Sequence, residues 1–462
     1  MDAVPNDAEA YRLILTRRDV SEIFLLASGS GFSLPQVEIC PQQRLAEQLT
    51  VQARRAWGVE AYCLLVPVLL TCSQNRVARC AVMDAVRQND KAPRGSLWAP
   101  LMVVTDLVGI NETRLIQESL EQLNACAKNE TLSPFAKPGW LRKLFLWTRQ
   151  QIAPFGFRLT GAFQQLNASP TFNLIRLETE DGGVWFKATG EPHSSELPVT
   201  VALARLFPRF VPPILGVHPT WNGWLSEDVA GVSLDQVADF DAWRQVAEQL
   251  AELQIESIGK TTALLEAQAK DLRVSQLMER IDPFVERMSE LMAVQEKPTP
   301  APLVQSELAT LAGGLKESCV LLEDLGLPNT LGHIDFNPGN ILVSGDHCVF
   351  LDWAEGCVTN PLLTFEYLRE HMLRSEIKEP VGKRLASAYF LPWVSLHSPK
   401  DLRRAMTLAS LVAVFAYAVA TDCWREPEVG RNRTMAGYFR SLTRRMYREA
   451  IHIAERSEPC PA

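Results

Sequence analysis

The ten cysteines, at positions 40, 63, 72, 80, 126, 319, 348, 357, 423 and 460, include no CxxC pair and no compact cluster. That spacing excludes a small disulfide-framed scaffold and leaves reduced, buried thiols as the simplest reading. The start, MDAVPNDAEAY, has no basic segment followed by an apolar one, so no secretory signal is read there and a cytoplasmic location is expected. No strongly apolar run approaches the roughly 20 residues that a spanning helix needs; the longest, 408–420, is read as a buried helix. There is also no surplus of positive charge: the formal net charge is -8, which argues against a surface built for nucleic acid. Neither nucleic acid nor membrane is an expected partner. Internal repeats and coiled-coil heptads are lacking too.

What is present is an ordinary globular balance, 47% hydrophobic and 22% charged over 462 residues, too long for one core and sufficient for two or three folded units. From about residue 11 to 106, short apolar segments (YRLILT, EIFLLA, AYCLLVPVLLTC, RCAVMDAV, APLMVV) surround one helical stretch, QRLAEQLTVQARRAW, ending at Gly58. A second helix is predicted over 112–127. The mixed segment KNETLSPFAKPGW reads as a boundary. Expected units are a small α/β domain at 1–127, a linker at 128–138, a β-rich lobe with a hinge at 139–230, and a helical lobe at 231–462. The fold class expected is α+β. After a helix near 141–152, FNLIRLET and VWFKAT flank a turn at Asp181-Gly182-Gly183 and predict a hairpin.

One compact block interrupts the helical periodicity of the last half: LGHIDFNPGNILVSGDHCVFLDWAEG. Asp335 and Asn340 fall on a loop before the apolar strand ILVS, and a turn at Gly345-Asp346 leads into CVFLDW. If Ser344 faces His347 across a two-residue turn, Asn340 lies opposite Leu351, one position from Asp352. Two oxygen donors then converge at one end of a hairpin, with Asp335 on the loop above. Hard oxygen ligands for Mg²⁺, together with a carboxylate that orients a hydroxyl and takes its proton, are what phosphoryl transfer requires. Singly, each of these is an ordinary turn or cap residue. In this order they reproduce a catalytic Asp, a downstream Asn and a later metal-binding Asp.

The block resembles the aminoglycoside phosphotransferase and choline kinase-like family, whose motif is approximately HGDxxxxN followed by a strand-borne DW or DF. Here it reads His333-Ile334-Asp335, Asn340 and Asp352-Trp353, with Ile334 where glycine is usual. The resemblance implies a bilobal protein-kinase-like fold that uses ATP and Mg²⁺ between its lobes. It implies Asp335 as catalytic base, His333 as support for the loop, and Asn340 and Asp352 as metal ligands. By the same order Lys187 in VWFKA would reach ATP phosphates and Glu196 would hold it, although a lone strand lysine is usually a surface residue. GWLSEDVAG resembles the family hinge, with backbone groups near Ser226, Glu227 and Asp228 meeting adenine. No GxGxxG precedes the lysine strand, so Asn167, Ser169 and neighbouring amides would have to cover the phosphates. Trp353, Glu355 and Glu366 are candidates for lining the acceptor site, Glu366 equally fitting a solvated helix face.

The segment SLPQVEICPQQRLAEQLTVQARRAWGVEAYCL resembles a Nudix-type strand, loop, helix and strand. Aligned on Gly58-Val59, Val51, Gln52, Arg55 and Ala56 stand where that family's helix carries its Arg and metal-binding Glu residues, so hydrolysis is not expected there. A binding, docking or regulatory role is. The reading is thus a small-molecule kinase whose acceptor is an aminoglycoside-like compound, a sugar or an amino alcohol. The alternative is a kinase-like regulatory module that binds nucleotide and signals through its N-terminal domain.

Overall fold

The computed structural model describes residues 8–457, apart from 30, 42, 73–75, 89–90, 129–133 and 375–380. Part of the expected linker therefore lies outside the described residues. The mixed α+β class read from the sequence is the class observed, and the chain forms two compact units, residues 1–197 with 213–228 and residues 198–212 with 229–462.

The first unit is built on two sheets. In the seven-stranded one, Glu9–Arg17 runs parallel to Arg76–Ala85 and antiparallel to Glu22–Ser28 and Gln36–Ile39. The helix Leu45–Trp57 turns Ala46, Leu49 and Ala53 inward and stops at Gly58, whose φ of 66° suits a residue without Cβ. Strand, loop, helix and strand thus occur in the expected order, and Val51 is half exposed (51%) on that helix. The segment APLMVV, grouped above with the apolar strands, divides instead: Ser96–Pro100 is a strand, and Leu101–Leu107 is a helix directly after Pro100.

The second sheet orders Ile214–His218, Gly223–Glu227, Gly182–Ala188, Asn173–Thr179 and Leu159–Ala168, all antiparallel. One hydrophobic cluster runs from Ile14, Leu64 and Val82 of the first sheet through Phe135, Trp140 and Ile152 to Ile175, Phe186 and Leu225 of the second. Phe135 and Ala136, inside the expected linker, are completely buried in it. Polar groups tie the sheets together as well. Gln165 accepts from the Cys63 amide at 2.7 Å and donates to the Cys63 carbonyl at 3.3 Å and to Asn173 Oδ1 at 2.7 Å. Tyr62 Oη donates to Asp84 Oδ2 at 2.6 Å, and the Gly139 amide meets both.

The second unit is mainly helical. Its core gathers Trp243, Phe284, Tyr389, Trp393, Phe415 and Trp424. The helix Pro399–Val419 contains the predicted buried run except its last residue, Ala420; by length and composition it is apolar enough to cross a membrane, and 61% of its most apolar window is buried. Set among these helices are two small sheets. One pairs Thr330–His333 with Gly356–Thr359, and the other pairs Ile341–Ser344 with His347–Phe350.

Candidate active site

The hairpin 341–350 has the register predicted for it: Ser344 faces His347, Ile341 faces Phe350, and the Leu351 amide donates to the Asn340 carbonyl at 2.8 Å. Gly345, at φ 58°, makes the two-residue turn possible. Alternation along the loop puts its polar residues outward and its aromatic ones inward. Phe336 and Phe350 are fully buried with ring centroids 5.1 Å apart, and Phe350 stacks on Phe210 at 6.0 Å. Each such ring contributes on the order of 1.5–3 kcal/mol by burial, which anchors the loop that carries Asp335.

His333, only 1% exposed, joins the two aspartates through their backbones. Its Nδ1 accepts the Asp335 amide at 3.2 Å, and its Nε2 faces the Asp352 carbonyl at 2.8 Å. That pair of partners fixes the tautomer with the proton on Nε2, and burial pulls the imidazole pKa down, keeping it neutral. Asp352 itself is exposed and lies in the left-handed region, φ 61° and ψ 59°, a strained conformation that Asp tolerates better than most residues. Ile334 needs no such conformation. It donates its amide to Glu355 O at 3.3 Å and buries its side chain in the core, so the glycine usual in the motif is not required here.

Asp335 is half-buried, and Tyr367 Oη donates to its Oδ1 at 3.0 Å. No protein hydrogen bond to Oδ2 occurs among the described residues. Burial and the neighbouring Asp335 charge raise the Tyr367 pKa, so the phenol stays a donor. Asn340 makes a long contact, 3.4 Å, from Nδ2 to the Asp335 carbonyl. No group of three or more His, Cys, Asp or Glu able to hold a metal occurs among the described residues. A magnesium ion would therefore draw on Asn340, Asp352, phosphate oxygens and water, a donor set that suits its preference for one or two protein carboxylates plus substrate oxygens.

Within the first unit, Lys187 Nζ and Glu196 Oε1 are 2.5 Å apart, and the glutamate is only 1% exposed. The two residues expected to act together are thus brought together. Replacing Lys187 by Met removes the cation and leaves a buried carboxylate without the lysine, a loss of about 3–5 kcal/mol in denaturant unfolding. The double variant Lys187→Met/Glu196→Gln should regain most of it, and a double variant no more stable than the single one would show that the pair is not coupled.

The hinge residues are otherwise engaged. The Glu227 amide donates to Pro213 O at 3.0 Å and the Asp228 amide to Gly183 O at 3.3 Å, because the strand Gly223–Glu227 is paired on both sides. The Asp228 carboxylate is held by Arg176 at 2.7 and 2.9 Å and by Trp185 Nε1 at 2.7 Å. Ser226 lies within the strand, opposite Trp185. These two amides are thus bonded within the unit, which leaves the other backbone groups of the segment to the hinge expectation. Ser169 closes the turn after Leu159–Ala168, accepting from the amides of Thr171 and Phe172 at 3.2 and 2.9 Å, while Asn167 pairs within the sheet opposite Leu174.

Two further candidates change character, while the third, Glu366, does line a cavity but is buried and paired. Trp353 is buried against His333 and donates to Phe350 O at 3.1 Å; it is core. Glu355 is ion-paired with Lys270. Glu366 is neither solvated nor unpaired: at 3% exposure it forms a two-point ion pair with Arg369, at 2.6 and 2.7 Å.

What sequence reasoning missed is Tyr367. Besides holding Asp335, it lines a cavity of about 230 Å³ with Glu366, Glu370, His371, Arg374, Tyr417, Tyr438 and Arg445. Its carboxylates are matched: Glu370 meets Arg445 at 2.8 Å and Arg374 at 3.3 Å, and Glu366 has Arg369. The aromatic residues come from three helices far apart in sequence, and no local motif announces them.

Residues 207–400 match the profile of the phosphotransferase enzyme family. Among solved structures, a choline kinase from Cryptosporidium parvum is 13% identical over 68% of this chain and 97% of its own, with a TM-score of 0.49. A Plasmodium vivax ethanolamine kinase is 14% identical over 63% and 82%, TM-score 0.45. A macrolide 2'-phosphotransferase from Brachybacterium faecium is 16% identical over 65% and 97%, TM-score 0.43. No curated protein matches the chain. The matched stretch, less than half of the chain, contains Asp335, Asn340, Asp352 and Tyr367.

Proposed function

We propose that this protein is an ATP- and magnesium-dependent phosphotransferase that moves the γ-phosphoryl group to a hydroxyl of a small, uncharged acceptor of the sugar or polyol kind. The observation that carries the reading is Asp335, with one carboxylate oxygen held by Tyr367 and the other open, beside a cavity whose charges are balanced. Asp335 aligns the acceptor hydroxyl and takes its proton as the new P–O bond forms and the bond to ADP breaks. His333 is a positioning residue: it keeps the Asp335 and Asp352 backbones in place. Asn340 and Asp352 would hold Mg²⁺, which neutralises phosphate charge when bound. Lys187, steadied by Glu196, is the cation for ATP phosphates.

The acceptor class follows from the cavity. Two carboxylates and two guanidinium groups line it, with a third, Arg369, behind Glu366, so a polycation finds no unmatched negative charge. At about 230 Å³ it is smaller than the roughly 300–1,000 Å³ of drug-sized sites. Tyrosine faces suit the C–H face of a sugar ring.

The test is γ-phosphate transfer from ATP with Mg²⁺, screened over sugars, polyols, amino alcohols, aminoglycosides and macrolides, with Asp352→Ala as control. Transfer to sugars or polyols, lost in the control, is the expected result. Transfer confined to polycations would refute the acceptor reading and keep the kinase. Tight ATP binding with no transfer to any acceptor would favour the regulatory module instead.

A further inference from the structure

We propose that the second unit carries a separate binding site for a soluble small molecule bearing clustered phosphates, built on the C-terminal helix Arg433–Ser457. A cavity of about 760 Å³ lies between this helix and the segment 294–300, and six basic side chains line it: Lys297, Arg431, Arg433, Arg440, Arg444 and Arg448. A single carboxylate, Glu296, shares the lining and is paired with Arg433 at 3.0 Å. In a chain of net charge -8 such a concentration is not a sample of the average surface.

The other five cations have no carboxylate within ion-pair distance among the described residues. Arg433, Arg440, Arg444 and Arg448 recur at helical spacing and so share one face. Between them Ala436, Gly437 and Ser441 keep the floor low, which gives the cavity its depth. Two of the guanidinium groups are preoriented by carbonyls: Arg440 Nη1 donates to Leu291 O at 3.1 Å, and Arg444 Nε to Ala301 O at 2.9 Å. Burial, Arg440 and Arg448 together pull the Arg444 pKa down, so the charged form there is held against repulsion. A protein stores repulsion of this kind where an anion relieves it, and guanidinium forks match phosphate oxygens two at a time.

The concave shape and the volume, inside the usual range for small-molecule sites, favour a compact ligand over an extended strand of nucleic acid. One phosphate would neutralise only part of the set, so the fitting ligand carries several. Nothing in this argument depends on the kinase reading.

The test is calorimetric titration of the full chain with inorganic tripolyphosphate at low salt. Arg431→Glu/Arg448→Glu is the site variant, because neither side chain holds a structural contact among the described residues. Lys400→Glu/Arg403→Glu makes the same change in net charge at the start of the helix Pro399–Val419, outside the cavity lining. Binding at one site is expected, weakened at least about tenfold by the first pair and less than about twofold by the second. It should persist in Lys187→Met/Glu196→Gln, where phosphate contacts of the proposed ATP site are removed. Absence of binding, equal weakening by both pairs, or loss in the lysine variant would each overturn the proposal. Binding to phosphoinositide vesicles or to RNA but not to tripolyphosphate would overturn it too.

Discussion

Replacing Asp335 by Asn should lower kcat for phosphoryl transfer by about 10²- to 10⁴-fold, the range that a positioned general base supplies. Asn keeps an oxygen to accept the Tyr367 hydroxyl and nearly the same volume, so the loop has no reason to move. Unfolding free energy should therefore change by less than about 1 kcal/mol, as for other substitutions that open no cavity and strand no buried group. The KM for ATP should also stay close to its original value, because the proposed role of the carboxylate is on the acceptor. A variant that retained more than about a tenth of the original kcat, at saturating ATP and acceptor, would remove Asp335 from the chemistry. Tyr367→Phe offers a graded companion: it frees Oδ1 without touching the charge.

The second large effect is expected at His333. Phenylalanine would fill the same space against Phe336 and Trp353, whose ring centroids lie 5.6 and 5.1 Å from that of the imidazole. It would nevertheless leave the Asp335 amide without its acceptor and the Asp352 carbonyl without its donor. Each buried polar group stranded in this way costs about 1–3 kcal/mol, and both depend on the one imidazole, so denaturant unfolding should register the sum. The lost bond lies at Asp352, the residue in the left-handed conformation. On the proposed reading of Asp352 as a magnesium ligand, the magnesium concentration needed for half-maximal activity should then rise about 10- to 100-fold, the usual penalty for removing a partner behind such a ligand. Unchanged stability together with unchanged magnesium dependence would mean that the imidazole braces nothing.

The parts of this molecule legible in the sequence are those fixed by short-range rules. A Gly-Asp pair between two apolar runs set the register of the hairpin 341–350, and with it the placement of Asn340 beside Leu351. The FNLIRLET and VWFKAT strands pair as read, and the helix carrying Glu196 begins at that residue. What was not legible depends on partners distant in sequence. Tyr367 meets Asp335 across 32 residues, and Glu366 was open between solvent and site until Arg369 was seen to cover it. The amides at 227 and 228 looked available because nothing local shows that Pro213 and Gly183 take them. LMVV, apolar enough for a strand, became helical because Pro100 ends the preceding strand pairing and opens the next turn. Polar composition suggested a linker before Gly139, yet Phe135 is completely buried there.

The shared cluster of the first unit bears on how this protein melts and where it can be cut. Phe186, next to Lys187 on its strand, belongs to the same packed group as Ile14 and Val82, and Gln165 joins the backbone of Cys63 to the second sheet. Elements that bury one another's apolar faces open together, as a single cooperative block. The N-terminal sheet is then no detachable accessory. Removing it would strip Tyr62 from Trp140 and uncover the layer of Phe135 and Trp140 that packs behind Phe186, so a chain shortened by its first 130 or so residues would loosen the support of the strand that carries Lys187. By the same coupling, anything that tightens the N-terminal sheet is felt as rigidity at that lysine.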